Sequence, residues 1–453
     1  MTDSGRPRAA FSRRRLLRGG LGAAAAIGLG GSLSGCGSAL SAGLVGSNLS
    51  PGTVTYWNLF GGGDGARMQA MQQQYTDEHG PSSLQAATFA WGNSYYTKVS
   101  LATLGDAPPD VAAAHLTRQS NLAVAGLLTE VTDEVLALGG LTGSDFDTKV
   151  WDALQVDGKR YAIPIDTHPF VLYYNVDVCQ KAGLLDGDGN LKEIRGTDAW
   201  EAALEAAKKV TGAWGAAVVT TGENATCWRW FQTLYSQMDG ATPWVSDGGR
   251  TLTYDEDLTI KTLEYIQKLT KQGLMPPTTD YAGSQTLMFT GQSAFYLQGE
   301  WEITTAEAVE GLKFGMVPVP TLFDRPATQG DSHTFVLPKN ARSSPEQLQR
   351  AMTFVKSLLD QSLTWAKGGH IPAYLPTLNS PEYAALKPQS NYADAVSSVA
   401  YDPQAWYSGS GSNFENALGA QIGLVQQGLA SPQEALAAAK DQLALYARTE
   451  SPL

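Results

Sequence analysis

Short apolar runs alternate with longer amphipathic stretches in the first part of the chain. Val54 to Trp57 forms an apolar run, which is followed by the glycine-rich loop "FGGGDG" and by a helical pattern over 66–79. The runs "SLQAATFA" and "PPDVAAAH" precede two further helical patterns, "YYTKVSLATLG" and "TRQSNLAVAGLL". This alternation predicts a parallel α/β sheet with helices on both faces. Ligands bind at the carboxyl ends of such strands, so the loops "NLFGGGDG", "FAWGNSYY" and "AAAHLTRQ" are the first candidates for a site.

The rest of the chain combines further apolar runs with capped helical patterns. "RYAIPIDTHPFVLYYNVDV" predicts two strands with a polar link, and "FGMVPVPTLF" and "SHTFVLPKN" predict strands between helices. "TDAWEAALEAAKKVTG" predicts a helix that begins with a capping box of Asp198 and Glu201. Ser344 and Ser431, each followed by a proline, predict the starts of two more helices.

Length and composition set the scale of this picture. At about 100–200 residues per domain, the 453 residues correspond to two or three domains. The net charge of -12 is unsuitable for binding nucleic acid, whose phosphates require a basic surface. The 11 tryptophans and 18 tyrosines suit a ligand with apolar ring faces, such as a sugar, although most aromatic residues of any protein lie in its core.

The N-terminus is typical of an exported protein. A basic region with Arg13 and Arg14 precedes a weakly apolar, glycine-rich stretch that is too short for a comfortable membrane span. The paired arginines resemble a twin-arginine signal, although the general export route stays open. "LSGC" resembles the lipobox of bacterial lipoproteins, in which the cysteine, here Cys36, is lipidated after cleavage. We expect a signal peptide over 1–35, a lipid-anchored tether over 36–51 and attachment to the outer face of the cytoplasmic membrane.

Two cysteines remain after Cys36. Cys179 and Cys227 permit one disulfide, because an exported protein matures in an oxidising environment. Two buried free thiols are the alternative, and spacing along the chain does not decide between them.

Several stretches together are similar to extracellular solute-binding proteins of family 1, the maltose-binding-protein type. In the order of that family they are "TVTYWNLF", "PPDVAAAHLTRQSNLAVAGLLTEVTD", "YAIPIDTHPFVLYYNVDVCQKAGL", "FTGQSAFYLQGEW", "FGMVPVPT" and "GGHIPAYL". The resemblance implies a type II periplasmic-binding-protein fold, with two α/β lobes, parallel-rich sheets and a ligand cleft between the lobes. It assigns 52–164 and 327–368 to lobe 1, and 165–325 and 369–453 to lobe 2.

The resemblance also implies a function. The protein is expected to be the substrate-binding lipoprotein of an ABC importer, which captures a mono- or oligosaccharide by hinge closure and delivers it to the permease subunits in the membrane. A polyol or a glycerol-phosphate-type solute is the alternative, for which Arg118 and Arg229 are available, but the acidic net charge disfavours phosphate. We expect a monomer without a nucleic-acid partner.

Candidate ligand contacts follow from the loops that this family directs at its cleft. Sugars are bound by oriented polar groups and by stacked aromatic rings. The candidates are Asn58, Asp64, Trp91, His115, Asp166, His168, Trp228, Glu300, Trp301, Asp331, His333, Tyr374 and Trp406. A turn cap is the alternative for Asn58 and Asp64, core packing is the alternative for Trp91, and a hinge hydrogen bond is the alternative for Asp166 and His168.

Four histidines, His115, His168, His333 and His370, lie near predicted cleft loops and raise the alternative of a metal site. They are far apart along the chain and form no H-x-x-x-H or H-E-x-x-H pattern. The stretch "DGDGN" begins like a calcium loop but is not followed by the required glycine and glutamate. The sequence therefore predicts no metal and no cofactor.

A surface glycoside hydrolase is the alternative from a different class. Such an enzyme requires two convergent carboxylates about 5–10 Å apart. Glu300 and Glu302 flank Trp301, but side chains two positions apart on a helix point about 200° away from each other. No feature of the sequence selects a pair from the available carboxylates, which are Asp64, Asp166, Glu300 and Asp331. We therefore expect a binding protein and not an enzyme, with Trp301 as a stacking ring and Glu300 as a hydroxyl-binding carboxylate. Glu302 is expected on the helix surface or as a partner of the helix dipole in the first turn.

Overall fold

The computed structural model describes residues 52–451. The expected signal peptide at 1–35, the tether at 36–51 and the lipidation site Cys36 lie outside these residues. The helices are α1 (Gly62–His79), α2 (Asn93–Leu104), α3 (Leu116–Val124), α4 (Asp133–Leu138), α5 (Thr148–Ala153), α6 (Val176–Lys181), α7 (Thr197–Thr211), α8 (Asn224–Ser236), α9 (Glu256–Lys271), α10 (Tyr281–Phe289), α11 (Ile303–Glu307), α12 (Pro345–Asp360), α13 (Ser362–Ala366), α14 (Leu375–Leu378), α15 (Pro381–Ala385), α16 (Asn413–Gln426) and α17 (Pro432–Arg448). Short 3-10 helices cover Gly143–Asp145, Asp247–Gly249, Glu300–Glu302 and Gln389–Ser398.

The strands form two large sheets and two small hairpin pairs. They are β1 (Val54–Asn58), β2 (Leu84–Thr88), β3 (Val111–His115), β4 (Gln155–Val156), β5 (Lys159–Arg160), β6 (Ala162–Pro164), β7 (Asp166–Asn175), β8 (Ala216–Ala217), β9 (Val245–Ser246), β10 (Thr251–Leu252), β11 (Phe295–Gly299), β12 (Phe314–Pro318), β13 (Thr328–Asp331), β14 (His333–Val336), β15 (Ile371–Pro372) and β16 (Val399–Ala400).

The first sheet has five strands in the order β2-β1-β3-β14-β6. β1, β2 and β3 are parallel, as the apolar runs predict, whereas β14 is antiparallel and lies between β3 and β6. Every residue of β1 and β3 is buried, which is why these strands are continuous apolar or small-residue runs and show no alternation. The predicted α/β class is confirmed by this arrangement.

The second sheet is organised around β7. Its strand order is β16-β13-β7-β11-β8, and β12 and β15 also pair with β7. The first residues of β7, Asp166 and Thr167, pair with β15, and the later ones pair with β11 and β12. All ten residues of β7 are buried. This strand therefore runs from the crossing region between the lobes into the centre of lobe 2.

Two large hydrophobic cores correspond to the two lobes. One core is built from residues between 54 and 165 and between 335 and 374, and the other from residues between 170 and 322 and between 405 and 443. β13, which lies in the segment 327–368 expected for lobe 1, pairs with β7 and β16 of the second sheet. We therefore propose that lobe 1 resumes after β13 and extends to about residue 374, where its core ends, and we keep the other lobe boundaries as proposed from the sequence.

Local capping decides where several helices begin. Ser344 caps α12 and Ser431 caps α17, each with a proline at the start of the helix, as predicted. Ser431 and Glu434 complete a capping box. Gly196, and not Asp198, precedes α7, so the capping box predicted for this helix is wrong.

The glycine-rich segment after β1 is largely helical and not a loop as predicted. α1 begins at Gly62 and places Asp64 in its first turn, where an acidic side chain is favourable. A Cβ at Gly63 would lie 2.7 Å from Thr304 Cβ of lobe 2. The glycine therefore permits the start of α1 to approach the opposite lobe closely.

Cys179 and Cys227 are free thiols in the core of lobe 2, so the possible disulfide is not formed. Burial raises the pKa of the Cys179 thiol to about 12, as expected for an unreactive core residue. Within residues 52–451, we find no helix with both the length and the apolar character that crossing a membrane requires.

Candidate functional site

A cavity of about 340 Å³ lies between the two lobes. Lobe 1 forms its wall with the end of β1, the start of α1, the loop after β2 and the end of β3, as expected for parallel strands. Lobe 2 contributes one residue each from α8, α10 and α16, strand residues of β7 and β13, the 3-10 helix that contains Trp301, and the loop residue Ser410. The lining residues are Leu59, Phe60, Gly61, Asp64, Trp91, His115, His168, Glu223, Arg229, Tyr281, Trp301, Gln329, Asp331, His333, Ser410 and Glu415.

Ser410 of lobe 2 connects the lobes at the cavity rim. Its hydroxyl oxygen accepts a hydrogen bond from Trp91 Nε1 at 3.1 Å, and its carbonyl oxygen accepts one from Arg118 at 3.1 Å. Its backbone N–H donates to Thr117 Oγ1 at 3.1 Å. Gly409 precedes it with a φ of 95°, and a Cβ there would lie 2.5 Å from the Thr117 carbonyl. Glycine is therefore required for this contact between the lobes.

Trp301 is the principal aromatic ring on the lobe 2 wall. It folds back over Gly299, where a Cβ would lie 2.0 Å from the ring, which explains the glycine two positions earlier. Its Nε1 donates to Tyr281 Oη at 3.0 Å, and the Arg229 guanidinium lies 5.1 Å from its ring centroid. The ring is therefore held in place by its surroundings, which lowers the entropy cost of binding a ligand against it.

Strand register brings three histidines together on the cavity floor. His115 pairs with His333 across β3 and β14, and His168 pairs with Asp331 across β7 and β13. The His168 and His333 rings stack with centroids 4.1 Å apart, and His115 lies 4.8 Å from His333. Burial and the neighbouring imidazoles lower the pKa of His115 well below its ordinary value and the pKa of His168 to about 3. Both side chains are therefore neutral at neutral pH.

Asp166 is a buried anion beneath this floor. Its Oδ1 accepts the His333 backbone N–H at 2.8 Å and lies 3.1 Å from His168 Nδ1. Its Oδ2 accepts a hydrogen bond from Trp365 Nε1 at 2.6 Å and lies 2.8 Å from His333 Nδ1. Burial alone would raise the pKa of Asp166, but the imidazoles and hydrogen bonds lower it well below its ordinary value. Donation from Nδ1 leaves Nε2 of His168 and His333 as hydrogen-bond acceptors.

His115 has the opposite tautomer because of Tyr96. The Tyr96 hydroxyl oxygen accepts the His115 backbone N–H at 3.0 Å and lies 2.8 Å from His115 Nδ1. Since the hydroxyl proton is then available to Nδ1, the imidazole proton resides on Nε2. The floor thus combines one imidazole donor with two imidazole acceptors, an arrangement that suits a ligand with adjacent hydroxyl groups.

His370 lies behind the floor between carboxylates from both lobes. Its Nε2 is 3.0 Å from Asp64 Oδ1, and its Nδ1 is 2.9 Å from Glu300 Oε1 and 3.3 Å from Asp166 Oδ2. Burial alone would lower the pKa of His370, but Asp64, Glu300 and Asp166 raise it well above its ordinary value. Burial raises the pKa of the Glu300 carboxyl to about 7.

Charged groups dominate the lobe 2 wall. Arg229 lies 3.9 Å from Glu223 Oε1, and Glu415 Oε2 accepts the Gly411 backbone N–H at 2.6 Å. Burial raises the pKa of Glu415 well above its ordinary value and the pKa of Asp331 to about 7. The wall therefore combines carboxyl groups, which accept hydrogen bonds and in the protonated form also donate one, with the donors of Arg229.

The sequence-predicted contacts divide into two groups. The cavity wall contains Asp64, Trp91, His115, His168, Trp301, Asp331 and His333. The remaining candidates, which do not line the cavity, are Asn58, Asp166, Trp228, Glu300, Tyr374 and Trp406. We leave this second group out of the ligand contacts proposed below.

Two of the excluded residues serve the interior of the lobes. Asn58 Oδ1 accepts the Phe60 backbone N–H at 3.2 Å, so the turn-cap alternative describes its role. Trp228, the preferred tryptophan of α8, is fully buried in the lobe 2 core and donates to Asp402 at 2.8 Å. Trp230 is buried as well, because nearly the whole of α8 is enclosed by lobe 2.

Tyr374 and Trp406 are packing residues. Tyr374 belongs to the lobe 1 core beside Phe146, at 6.1 Å between ring centroids. Trp406 packs edge-on against Tyr407 and Tyr446 at 5.4 and 6.3 Å. The segment that follows Trp406 lines the cavity through Ser410 instead. Gly409 allows its backbone to approach lobe 1 closely.

Glu300 and Glu302 occupy different environments, and neither lines the cavity. Glu300 is fully buried and faces His370 and not a ligand, whereas Asp166 remains beneath the floor in the hinge role. Glu302 is also buried and accepts hydrogen bonds from Tyr281 and Gln285, so its expected place on the helix surface is wrong.

Sequence reasoning missed most of the lobe 2 wall. The missed polar residues are Glu223, Arg229, Tyr281, Gln329, Ser410 and Glu415. Several occupy helices or helix starts, and a search of loops that follow strands does not select such positions. Glu223 had one usable signal, since it caps α8 by accepting the Thr226 backbone N–H at 2.8 Å.

Residues 70–420 match the model of a family described as bacterial extracellular solute-binding proteins. The match spans well over half of the chain, so the chain belongs to this family, and the class predicted from the sequence is confirmed. Membership of an extracellular family also implies an exported protein.

Individual relatives share the same architecture. The arabinooligosaccharide-binding protein of Bacillus subtilis (strain 168) is 25% identical over 384 residues, which cover 80% of this chain and 81% of that protein. The GacH receptor of Streptomyces glaucescens GLA.O, known unliganded and in complex with acarbose, has a TM-score of 0.71 and 20% identity over 89% of this chain and 100% of that chain. UgpB from Mycobacterium tuberculosis, in complex with glycerophosphocholine, has a TM-score of 0.70 and 18% identity over 88% of this chain and 98% of that chain. At these identities the two structures show that the fold is shared.

Proposed function

We propose that the protein is the substrate-binding component of an ABC importer and that its ligand is a mono- or oligosaccharide. The cavity between the lobes is the observation that carries this proposal. It combines an immobilised ring, Trp301, with oriented imidazole donors and acceptors on its floor. A pyranose ring has an apolar face that stacks on an aromatic ring such as Trp301. It also has adjacent hydroxyl groups that hydrogen-bond to imidazole donors and acceptors.

The names of relatives support the same ligand class. The relative from Bacillus subtilis is named for binding arabinooligosaccharides, and the GacH receptor is described with acarbose. Both compounds are rich in hydroxyl groups, which can hydrogen-bond to the carboxyl groups and to Arg229 of the lobe 2 wall.

Capture proceeds by closure of the two lobes about the crossing strands. A ligand that touches both Trp301 and the lobe 1 wall makes its full set of contacts only in the closed state, so it shifts the population towards that state. The hydrogen bonds that Trp91 and Arg118 of lobe 1 donate to Ser410 are of the kind that closure forms. The closed protein, acting as a monomer, then delivers the ligand to the permease subunits.

A panel of ligands tests the proposal. Thermal unfolding of the purified protein is measured with pentoses, hexoses, maltodextrins and arabinooligosaccharides, and positive compounds are titrated by calorimetry. We expect one sugar class to raise the midpoint and to bind with one-to-one stoichiometry. If no carbohydrate shifts the midpoint, the proposed ligand class is wrong.

A phosphate-bearing polyol is the second candidate. Arg229 supplies a cation to the cavity, and the similar fold of UgpB is described with glycerophosphocholine. Including glycerol 3-phosphate and glycerophosphodiesters in the panel separates the candidates. A shift with these compounds and with no neutral sugar would replace the first candidate by the second.

We also propose that the protein binds its ligand without cleaving it. The family to which the chain belongs consists of solute-binding proteins, which supports this view. Overnight incubation of a bound oligosaccharide, followed by chromatography, is expected to return it intact. Shortened products that depend on the protein would instead support the glycoside hydrolase.

Lipid anchoring through Cys36 and export by a twin-arginine signal belong to the same proposal. The lipobox "LSGC" and the paired arginines support them. Cys36→Ala is expected to move the protein from the membrane fraction to the soluble fraction, and Cys179→Ala is a matched control that leaves the anchor in place. Unchanged membrane partitioning of Cys36→Ala would contradict the anchor.

A further inference from the structure

Four buried side chains of metal-binding type converge behind the cavity floor. Asp166, His168, His333 and His370 each bring one nitrogen or oxygen atom to within 4.8 Å of the others. The sequence predicts no metal because these residues are far apart along the chain, but the fold brings them together. We propose that this cluster, together with Glu300, binds one divalent transition-metal ion such as Zn²⁺.

The spacing of the ligand atoms suits such an ion. Asp166 Oδ2 lies 2.8 Å from His333 Nδ1 and 3.3 Å from His370 Nδ1, and His370 Nδ1 lies 2.9 Å from Glu300 Oε1. Around a tetrahedral Zn²⁺ with ligands at about 2.0–2.2 Å, ligand atoms stand roughly 3.3–3.6 Å apart. The observed separations are somewhat shorter than this, so binding of the ion requires these side chains to move apart and to release the protons on the ligating nitrogens.

Buried atoms without hydrogen bonds give a second, independent indication. Within the described part of the chain, Glu300 Oε1 and Oε2 and His370 Nδ1 have no hydrogen-bond partner of acceptable geometry, although Nδ1 and Oε1 are only 2.9 Å apart. Fully buried polar atoms of this kind are rare and require an explanation. Without a metal, an ion pair holds the His370 imidazole between the carboxylates, and a metal ion that replaces its Nδ1 proton bonds directly to the imidazole and to Glu300.

The surroundings of the cluster resemble the outer shell of a metal site. Asp64 Oδ1 lies 3.0 Å from His370 Nε2, so it holds the proton on Nε2 and leaves Nδ1 as the ligand atom. Trp365 stacks on the His370 ring at 4.3 Å and donates to Asp166 Oδ2 at 2.6 Å. These contacts fix the ring and the carboxylate before an ion arrives.

The donor set selects the class of ion. Imidazole nitrogens with carboxylate oxygens favour Zn²⁺, Co²⁺, Ni²⁺ and Cu²⁺, whereas Ca²⁺ and Mg²⁺ prefer oxygen ligands alone. Two carboxylates, Asp166 and Glu300, neutralise the charge of a divalent ion. His168, His333 and Asp64 also line the cavity, so the ion reaches the cluster through the open cleft.

An ion here connects the segments that cross between the lobes. Asp166 is the first residue of β7, His333 is the first residue of β14, and His370 directly precedes β15. Glu300 lies at the end of β11 in lobe 2. Because these segments are held by one ion only in the folded protein, metal binding stabilises that state.

Metal titration of tag-free, EDTA-treated protein tests the proposal. Zn²⁺ is titrated in competition with a chromophoric chelator, and bound zinc is quantified by mass spectrometry after gel filtration. We expect one zinc per chain, a higher thermal midpoint, and the strong visible absorption of tetrahedral Co²⁺ when cobalt replaces zinc. Failure to bind one equivalent of any of these ions would overturn the proposal.

Variants locate the ion. His370→Asn and Glu300→Gln are expected to weaken zinc binding at least tenfold, and Asp64→Asn by about 10–100-fold as an outer-shell change. His79→Ala removes the histidine of α1 that lies outside the cluster, and it is expected to bind as tightly as wild type. Equal zinc affinity in wild type and in Glu300→Gln and Asp64→Asn would contradict the site, even where His370→Asn fails to fold. Sugar titration of the metal-free protein tests the proposed function separately.

Discussion

The two walls of the cavity offer a ligand different chemistry. Lobe 1 presents Leu59, Phe60 and the neutral His115, and its acidic Asp64 is paired with His370. Lobe 2 presents a cation, Arg229, among acidic side chains and beside the Trp301 ring. The lobe 1 wall is therefore largely apolar or neutral, like the core from which it extends. The lobe 2 wall is a network of partly desolvated charges.

This difference indicates where each wall is sensitive to change. A buried charge network is balanced only as a whole, because removing one member leaves the others without compensation in a region of low dielectric. A neutral, hydrogen-bonded wall loses only the interactions of the group that is removed. The following predictions test this contrast, beginning with the largest expected effect.

Removing the lobe 2 cation is expected to cost the most stability. Arg229→Met leaves Glu223 Oε1 without its ion-pair partner at 3.9 Å and removes the cation whose charge favours ionised Glu415, so the free energy of unfolding falls by about 3–5 kcal/mol. On the neutral wall, His115→Ala is expected to cost about 1–3 kcal/mol, because the Tyr96 hydroxyl loses its side-chain partner Nδ1 and keeps only the backbone N–H of residue 115. Urea unfolding followed by tryptophan fluorescence measures both values. If both variants lost the same free energy of unfolding, the two walls would not differ in their sensitivity to substitution.

The two cavity tryptophans are expected to contribute unequally to affinity. Trp301 is held by Tyr281 and Arg229, whereas Trp91 is 41% exposed. Trp301→Ala is therefore expected to weaken carbohydrate binding by about 10–100-fold, and Trp91→Ala by about fivefold or less. Calorimetry measures the dissociation constants, and Trp406→Ala is the matched control because Trp406 packs outside the cavity. A larger effect at Trp91 would assign the stacking surface to lobe 1.

The lobe 2 wall is expected to make stability depend on pH. Burial raises the pKa of Glu415, and Arg229, Asp402, Glu223 and the Gly411 N–H are the groups that face it. Because the folded pKa is raised, the stabilising contribution is fully present below the ordinary carboxyl pKa and is lost as the pH rises through the folded value, with a slope of at most about 1.4 kcal/mol per pH unit.

Replacing the carboxyl by its neutral analogue tests this dependence. Above neutral pH, Glu415→Gln is expected to be at least as stable as wild type. Between acidic and neutral pH, its free energy of unfolding is expected to change less with pH than that of wild type. Urea midpoints measured across this range give the comparison. A profile as steep as that of wild type would show that other groups govern the dependence.

A substitution at the rim of the cavity is expected to have the smallest effect on ligand affinity. Asn93 of lobe 1 donates to Asn413 of lobe 2 at 3.1 Å in an exposed position. Asn413→Ala is expected to weaken ligand binding by about twofold, corresponding to roughly 0.5 kcal/mol, because water replaces the lost partner. Stopped-flow binding is expected to show the change as faster dissociation. A change of tenfold or more would mean that the rim, and not the walls, controls closure.

The fold was largely predictable from local pattern. Apolar runs such as the one in β3, with helical patterns after them, identify a parallel sheet because both faces of such strands are buried. Antiparallel β14 in the same sheet was not predictable in this way, because its pairing with β3 joins segments more than 200 residues apart. The position of β13 in the second sheet was not predictable for the same reason, because its partner β7 lies in a distant segment of the chain.

The candidate site was predicted more completely in lobe 1 than in lobe 2, where Trp301 was found but most of the charged wall was not. His115 and Trp91 were found because they follow strands of a parallel sheet, where side chains meet at one edge. Arg229 and Glu415 escaped because they lie on helices, where periodicity distinguishes buried from exposed faces but not core from cavity. Trp228 shows the converse error, since an aromatic residue suited to sugar stacking is equally suited to a core.

The position of β14 also has a consequence for the order in which the molecule is completed. β6 joins the first sheet only through β14, and β14 is synthesised after most of lobe 2. During synthesis, the N-terminal half therefore cannot complete the first sheet until the later strand β14 has been made. Folding of this chain is expected to be completed late and by both halves together, after β14 has been synthesised.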